Sequence, residues 1–271
     1  MSEQDASVSR DTLEVRADGK RAADVSIPVE IPLVIDLNGR PVATLMALPG
    51  MERELAIGFC LSEGLVRSVA DLLLVQYCRA EAALIPEEEG GAVVRVQARP
   101  EAVRAQGTGM RLVLSGCGGV ATDLEALDLP PLPAGEGPVI QPEALWAMAA
   151  LVRRGQETYR QAGGVHAAAL FTPAGDLLVA AEDIGRHNAV DKVLGATLAR
   201  GLALDDKVLL STGRASHELV TKALRLGVRV AGSLSVATSL AIELAEQGNC
   251  TLLGRLRRER FLVYTHPWRI A

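Results

Sequence analysis

The chain has 271 residues, 49% of them hydrophobic but only 3% aromatic, and a formal net charge of −5. That length buries one large core or two modest ones, built from Leu, Val, Ile and Ala rather than from rings. The acidic balance gives no general reason to expect nucleic acid or an anionic membrane as partner, and no window reaches the apolar length of a membrane span.

From Met1 to about Lys20 the chain is polar and charged and lacks an apolar stretch, so no signal peptide is expected there. Residues 1–24 are expected to form a disordered leader. Cys60, Cys78, Cys117 and Cys250 are too far apart for a zinc knuckle or a redox Cys-x-x-Cys. Dispersed cysteines suit a reducing compartment, and the expected location is cytoplasmic.

Glu30 to Leu37 reads as a strand, Asn38-Gly39 as a hairpin turn, and Pro41 to Ala47 as the returning strand. Met51 to Gly64 has helical composition with Leu55, Phe59 and Ser62 on one face, and Gly64 closes it. Val93 to Ala98 is another strand, and Cys60 and Cys78 read as core residues. Cys117 follows in Leu112-Val-Leu-Ser-Gly-Cys-Gly-Gly-Val120. Flanking glycines free the backbone and leave the sulfur unshielded, which suits a thiol that must meet a bulky partner. The same residues also suit a tight turn that happens to contain a cysteine.

Leu129-Pro-Pro-Leu-Pro-Ala-Gly-Glu-Gly-Pro138 cannot sustain a helix and reads as a linker. The division expected is an N-terminal α+β domain over 25–115, the cysteine loop and linker over 116–141, and a C-terminal domain over 142–271. Pro142 to Gln161 is a helix opened by proline. Val165 to Phe171 and Leu177 to Ala181 form a hairpin. Three strand–turn–helix units follow, with turns at Asp183–Asn188, Thr212–Ser216 and Gly232–Thr238. That alternation indicates α/β layers with parallel pairing. Two last strands, Thr251 to Leu256 and Arg260 to Thr265, close the domain.

In such sheets ligands bind beyond the C-terminal strand ends, where helix N-termini present free N–H groups. Two of the turns carry Gly-Arg, at Gly185-Arg186 and Gly213-Arg214, and the third carries Ser233, Ser235, Thr238 and Ser239. Guanidinium forks, hydroxyls and backbone donors on one edge describe a phosphate or nucleotide site. His187, Asn188, Asp191 and Lys192 follow on the first helix at i,i+4 spacing, which suits helix-surface pairing as well as ligand contact. His166 reads as a satisfied core histidine. Arg255, Arg257, Arg258, Arg260 and Arg269 stand against one acid, Glu259, and fit either phosphates or a solvated edge, with His266 beside them. The zinc-deaminase signature, the Gly-x-Ser-x-Gly elbow and Gly-x-Gly-x-x-Gly are all missing, so this half is expected to bind its ligand rather than transform it.

Glu182-Asp-Ile-Gly-Arg-His-Asn-Ala-Val-Asp-Lys192, Ser211-Thr-Gly-Arg-Ala-Ser216 with Glu218-Leu-Val220, and Arg260-Phe-Leu-Val-Tyr-Thr-His266 resemble the signature segments of FdhD-type formate dehydrogenase accessory proteins. Leu55-Ala-Ile-Gly-Phe59 with Ser62-Glu-Gly64 resembles their N-terminal half, so the likeness runs from about residue 30 to residue 266. The resemblance implies a sulfurtransferase of the carrier kind. It would accept persulfide sulfur from a cysteine desulfurase on a loop cysteine. It would pass that sulfur to the molybdenum (or tungsten) bis(molybdopterin guanine dinucleotide) cofactor of formate dehydrogenase. A homodimer is implied too, with a C-terminal domain of three-layer α/β/α, cytidine-deaminase-like fold without zinc.

The family loop usually reads Cys-Gly-x-Cys-Gly, whereas this chain has Ser115-Gly-Cys-Gly-Gly119. With a one-residue gap Cys117 aligns with either family cysteine, and one sulfur that accepts and then donates is enough for a relay. The resemblance maps cofactor contact onto Phe261, Leu262, Val263, Tyr264, Thr265 and His266. The candidate phosphate edge adds Arg186, His187, Asp191, Lys192, Ser211 and Arg214. The alternative is a non-catalytic chaperone that ferries the cofactor, with Cys117 incidental.

Overall fold

The computed structural model describes residues 5–79, 91–104, 111–113, 127–135 and 137–271. Its first two strands, β1 (Ser7–Arg16) and β2 (Gly19–Pro28), pair antiparallel where a disordered leader is expected. Charges pair here instead, with Arg21 reaching Glu14 across the strands and Arg16 reaching it along β1. Val8, Val15, Val25 and Ile27 supply the β-branched residues that a pleated ribbon favours.

The next sheet has the order β5-β6-β3-β4-β7, formed by β3 (Ile31–Leu37), β4 (Arg40–Ala47), β5 (Leu72–Arg79), β6 (Ala92–Ala98) and β7 (Arg111–Val113). The β3–β4 turn has positive φ at both Asn38 and Gly39, the type I′ geometry that the Asn-Gly pair favours. Helix α1 (Glu52–Ser62) lays Leu55, Ala56, Phe59 and Cys60 on this sheet. Gly64 ends it as expected, at φ +70°. Cys60 is a core residue; Cys78, on edge strand β5, is only half-buried.

The expected helix over 142–161 is two helices, α2 (Pro142–Gly155) and α3 (Glu157–Ala162), broken at Gln156. The break has a cause. The Glu182 carboxylate accepts the Thr158 and Tyr159 N–H groups at 2.8 and 3.0 Å, capping a fresh helix start from a neighbouring strand.

The third sheet has the order β13-β12-β11-β10-β8-β9. In chain order its elements are β8 (His166–Phe171), β9 (Leu177–Asp183), α4 (Arg186–Ala199), β10 (Val208–Ser211), α5 (His217–Arg225), β11 (Val230–Ser233), α6 (Ser239–Gln247), β12 (Thr251–Arg257) and β13 (Arg260–Val263). Strands β10, β11 and β12 are parallel neighbours, as expected. Strand β9 departs from that pattern, because antiparallel β8 lies between it and β10. Two reversals restore direction, so β9, β10 and β11 still end at one edge.

Alternation along β8 sets up three layers. Ala168 and Leu170 pack with α4, α5 and α6 on one face, and Ala167, Ala169 and Phe171 pack with α2 on the other. The two larger sheets meet through α1 and α4, whose backbones touch at Gly58 and Gly195.

Candidate functional site

The C-terminal edge of β9, β10 and β11 is knitted into one surface by its turns. Thr212 N–H donates to the Ala167 carbonyl at 2.9 Å, and Leu234 N–H to the Ser211 carbonyl at 2.9 Å. The Ser233 hydroxyl donates to the Gly213 carbonyl. Ala215 and Val236 or Thr238 exchange two more backbone bonds at 3.0 Å. The Gly-Arg pairs and the serine turn therefore do converge.

Arg186 opens α4 and lies flat on Gly213, where an added Cβ would sit 2.8 Å from the Arg186 Cβ. Only glycine lets the first and second turns approach this closely. His187 Nε2 stands 3.0 Å from Glu218 Oε2 and 3.3 Å from the Ser216 hydroxyl, while Arg186 reaches Glu218 at 3.7 Å. The hydrogen bond from His187, helped by the charges of His187 and Arg186, pulls the Glu218 carboxyl down to about 2 against the effect of burial. Arg214 is exposed beside them.

His166 belongs to this site. It starts β8 at the same edge, and its pKa is lowered first by burial and then by the charges of Arg186, His187 and Arg214. Sequence reasoning placed it in the core because its strand neighbours are small; its position as the first strand residue was the available signal. Glu218, the carboxylate that orders His187, reads from the sequence only as part of a signature segment and not as a site residue.

The register of β12 brings a second basic group to the same edge. Gly232 pairs with Leu253, so Gly254 to Arg257 overhang the end of β11. Arg255, Arg257, Arg258 and Arg260 are exposed on this overhang, and Arg255 N–H donates to the Ser235 carbonyl at 2.6 Å. Tyr264 lies over Gly254, where an added Cβ would be 2.6 Å from the ring, and it is half-buried. Phe261 and Val263 pack toward the α2 layer, with the Phe261 ring 6.5 Å from Trp146, and Leu262 is half-buried.

Several residues expected to contact the cofactor make internal bonds instead. Lys192 is 1% exposed; its ammonium meets Asp183 at 2.8 Å and donates to the Leu48 carbonyl at 2.8 Å and the Glu182 carbonyl at 3.2 Å. Asp183 in turn accepts N–H from Leu48, Gly185 and Asn188, and Asn188 also donates to the Met46 carbonyl. This part of the signature clamps the end of β4 to α4. Asp191 is equally buried and accepts from the Ser62 hydroxyl at 2.7 Å and Lys222 at 2.9 Å. Burial opposes the Lys222 charge, but the Asp191 and Glu63 carboxylates outweigh it and hold its pKa above the ordinary value. Ser211 is buried, its hydroxyl accepting Gly213 N–H at 3.2 Å.

Thr265, His266 and Arg269 sit at the opposite edge of the sheet, because β13 runs antiparallel to β12. The Thr265 hydroxyl donates to the Cys250 carbonyl at 2.6 Å. His266 Nε2 faces the Ala245 and Glu246 carbonyls at 3.2 and 3.0 Å, so the proton resides on Nε2 and the ring finishes α6. Arg269 is buried on the Thr251 hydroxyl. His266 and Arg269 are thus separated from the arginine overhang that the sequence set beside them.

Cys117 lies outside the described residues. Among the others, burial, then the Asp191 charge, pushes the Cys60 thiol up to about 12, and burial does the same to Cys250. Neither forms a useful thiolate at neutral pH.

The FdhD/NarQ family model matches residues 28–271. "Sulfur carrier protein FdhD" of Nocardia farcinica is 37% identical over 90% of this chain and 88% of its own length. The protein of the same name from Mycobacterium tuberculosis is 38% identical over 98% of this chain and 99% of its own. Among solved structures, a candidate formate dehydrogenase accessory protein from Desulfotalea psychrophila superposes with a TM-score of 0.79 at 26% identity, covering 98% of this chain and 100% of that one. With a family match over residues 28–271 and relatives 37–38% identical over most of their length, the chain belongs to the FdhD/NarQ family.

Proposed function

We propose that this protein is a sulfur carrier serving formate dehydrogenase, with Cys117 as the carrying thiol. The observation that supports it most is the name shared by relatives 37–38% identical over at least nine-tenths of the chain, "Sulfur carrier protein FdhD". The state of the other thiols agrees. Cys60 and Cys250 are sealed and protonated, which leaves sulfur chemistry to Cys117 and the half-buried Cys78.

In this reading the Cys117 thiolate attacks the terminal sulfur of a desulfurase persulfide. The new S–S bond forms on Cys117 as the desulfurase thiolate leaves. The acceptor is the molybdenum or tungsten bis-guanine-dinucleotide cofactor, a polyanionic substrate. Arg186, Arg214 and the arginines of the β12–β13 overhang supply the cationic edge that would hold its phosphates. His187 and Glu218 position Arg186, and Phe261 to Tyr264 flank the same surface. Lys192 and Asp191 serve indirectly, by fixing the turn that presents Arg186. We read the C-terminal sheet, with helices on both faces, as a cytidine-deaminase-like domain that binds without zinc. The protein would act as a homodimer in the cytoplasm, where thiols stay reduced.

Mass spectrometry tests the relay. After incubation of the full chain with a cysteine desulfurase and cysteine, Cys117 should gain about 32 Da, the mass of one sulfur. Cys117→Ala should lose both the adduct and formate dehydrogenase activation, yet keep guanine-nucleotide binding. Activation by Cys117→Ala would replace the relay with a chaperone role.

A further inference from the structure

A cationic cavity lies away from the Gly-Arg edge, beside the ends of α1 and α5. It has a volume of about 170 Å³ and is lined by Leu61, Gly64, Val66, Arg67, Arg104, Asp128, Leu129, Pro130 and Arg225. It sits where the end of α1 meets the end of α5, so the nine-residue length of α5, about 13 Å, separates it from the Gly-Arg turns.

Its construction is that of a receptor. Arg225 lies over Gly64, where an added Cβ would be 2.7 Å from a guanidinium nitrogen. One nitrogen of Arg225 donates to the Leu127 carbonyl at 3.3 Å, but its Nε is buried without an acceptor among the described residues. Leaving a buried donor unpaired is costly, so an acceptor beyond the described groups is called for. Arg104 reaches Asp128 at 3.0 Å, and that carboxylate is largely exposed. Glu63, the other nearby acid, is engaged by Lys222 at 2.7 Å. Among the described residues the cavity is therefore lined by three guanidinium groups and the solvated Asp128 carboxylate. Burial, followed by the charge of Arg104, lowers the Arg225 pKa, and the Glu63 and Asp128 carboxylates offset this only in part.

We propose that the Arg67–Arg104–Arg225 cavity is a phosphoryl-anion site, distinct from the Gly-Arg edge. Its size admits one phosphate or diphosphate group, and its planar forks match phosphate oxygens bidentately. The group could be free inorganic phosphate or pyrophosphate, or part of a nucleotide. The inference does not depend on sulfur transfer, and Cys117→Ala should leave it intact.

Calorimetric titration of the full chain with inorganic pyrophosphate tests it. The Arg186→Gln/Arg214→Gln double variant should retain one binding event per chain, and adding Arg104→Gln and Arg225→Gln should abolish it. GDP that competes for the retained event identifies a nucleotide phosphate; pyrophosphate binding without GDP competition identifies the free anion. Should the Arg225 variant fail to fold by circular dichroism, Arg67→Gln/Arg104→Gln decides, with about tenfold weaker binding expected. Unchanged affinity in these variants, or no pyrophosphate event in the Arg186→Gln/Arg214→Gln background, overturns the site.

Discussion

Gly58 and Gly195 meet backbone to backbone where α1 crosses α4: a Cβ built on Gly195 would lie 1.9 Å from the Glu54 carbonyl oxygen and 2.6 Å from the Gly58 nitrogen. A Cβ on Gly58 would likewise fall 1.9 Å from the Asp191 carbonyl oxygen. These atoms belong to helix backbones and cannot swing aside. Gly195→Ala should therefore destabilise the fold at or above the upper end of the about 1–3 kcal/mol range for overpacking. It does so despite alanine's better helix propensity. Urea midpoints measure it; a stabilised Gly195→Ala protein would contradict the crossing.

Lys222 and Asp191 form the polar bolt beside that crossing. Removing Lys222 leaves the buried Asp191 carboxylate without a counter-charge, so Lys222→Ala should cost about 3–5 kcal/mol, and Asp191→Ala less, because Glu63 still holds Lys222. Replacing both by apolar residues, Asp191→Leu with Lys222→Met, should recover much of that loss. A double variant as weak as the sum of the singles would show that the pair does not act as a unit.

Anion binding at the Gly-Arg edge should take up protons. The His166 pKa is depressed from the ordinary 6.5, first by burial and then by Arg186, His187 and Arg214. The neutral ring thus supports the fold above pH 6.5, and that support is lost as pH falls through the folded value. A phosphate neutralising those arginines raises the His166 pKa again. Guanine-nucleotide binding should strengthen below pH 6.5 and show proton uptake in buffers of different ionisation enthalpy. His166→Gln should abolish the uptake, and Arg214→Ala should weaken binding roughly 10- to 100-fold.

Glu218 reports on the same cluster from the acid side. Its folded pKa of about 2 lies below the ordinary 4.5, so its ionised form supports the fold above 4.5, and that support fades as pH falls toward 2. His187→Ala removes the leading cause. Carboxyl NMR titration should then show the Glu218 midpoint move back toward 4.5; an unmoved midpoint would assign the effect to Arg186.

Thiol labelling separates the cysteines. With pKa values near 12, Cys60 and Cys250 are only about one part in ten thousand thiolate at pH 8. Both should resist a thiol reagent in the native protein and react on unfolding. Rapid native labelling of either would show that its helix or strand opens.

Much of this was legible in the residues. The Asn38-Gly39 turn, Gly64 as helix terminator, and the strand–turn–helix succession are local signals, set by φ preferences and hydrophobic period, and the structure reproduces them. The N-terminal hairpin was missed because cross-strand pairing of Glu14 with Arg21 is not visible in composition. The break at Gln156 was missed because its cause, the Glu182 carboxylate, lies on a distant strand.

The site divides along the same line. Sequence by itself determined that two Gly-Arg turns and a serine turn follow successive strands of one domain, because chain order carries that information; the insertion of β8 between β9 and β10 came from the tertiary structure. Only the tertiary structure decided which charges face outward. Asp191 and Lys192 are adjacent on α4 and read as surface residues, yet Asp191 is covered by Ser62 and Lys222, and Lys192 by the end of β4. Helical spacing defines the faces of a helix; what lies against each face is set by other elements, some of them, such as Ser62 and Leu48, more than a hundred residues away. A charge so covered is satisfied internally, since leaving it unpaired there would cost several kcal/mol.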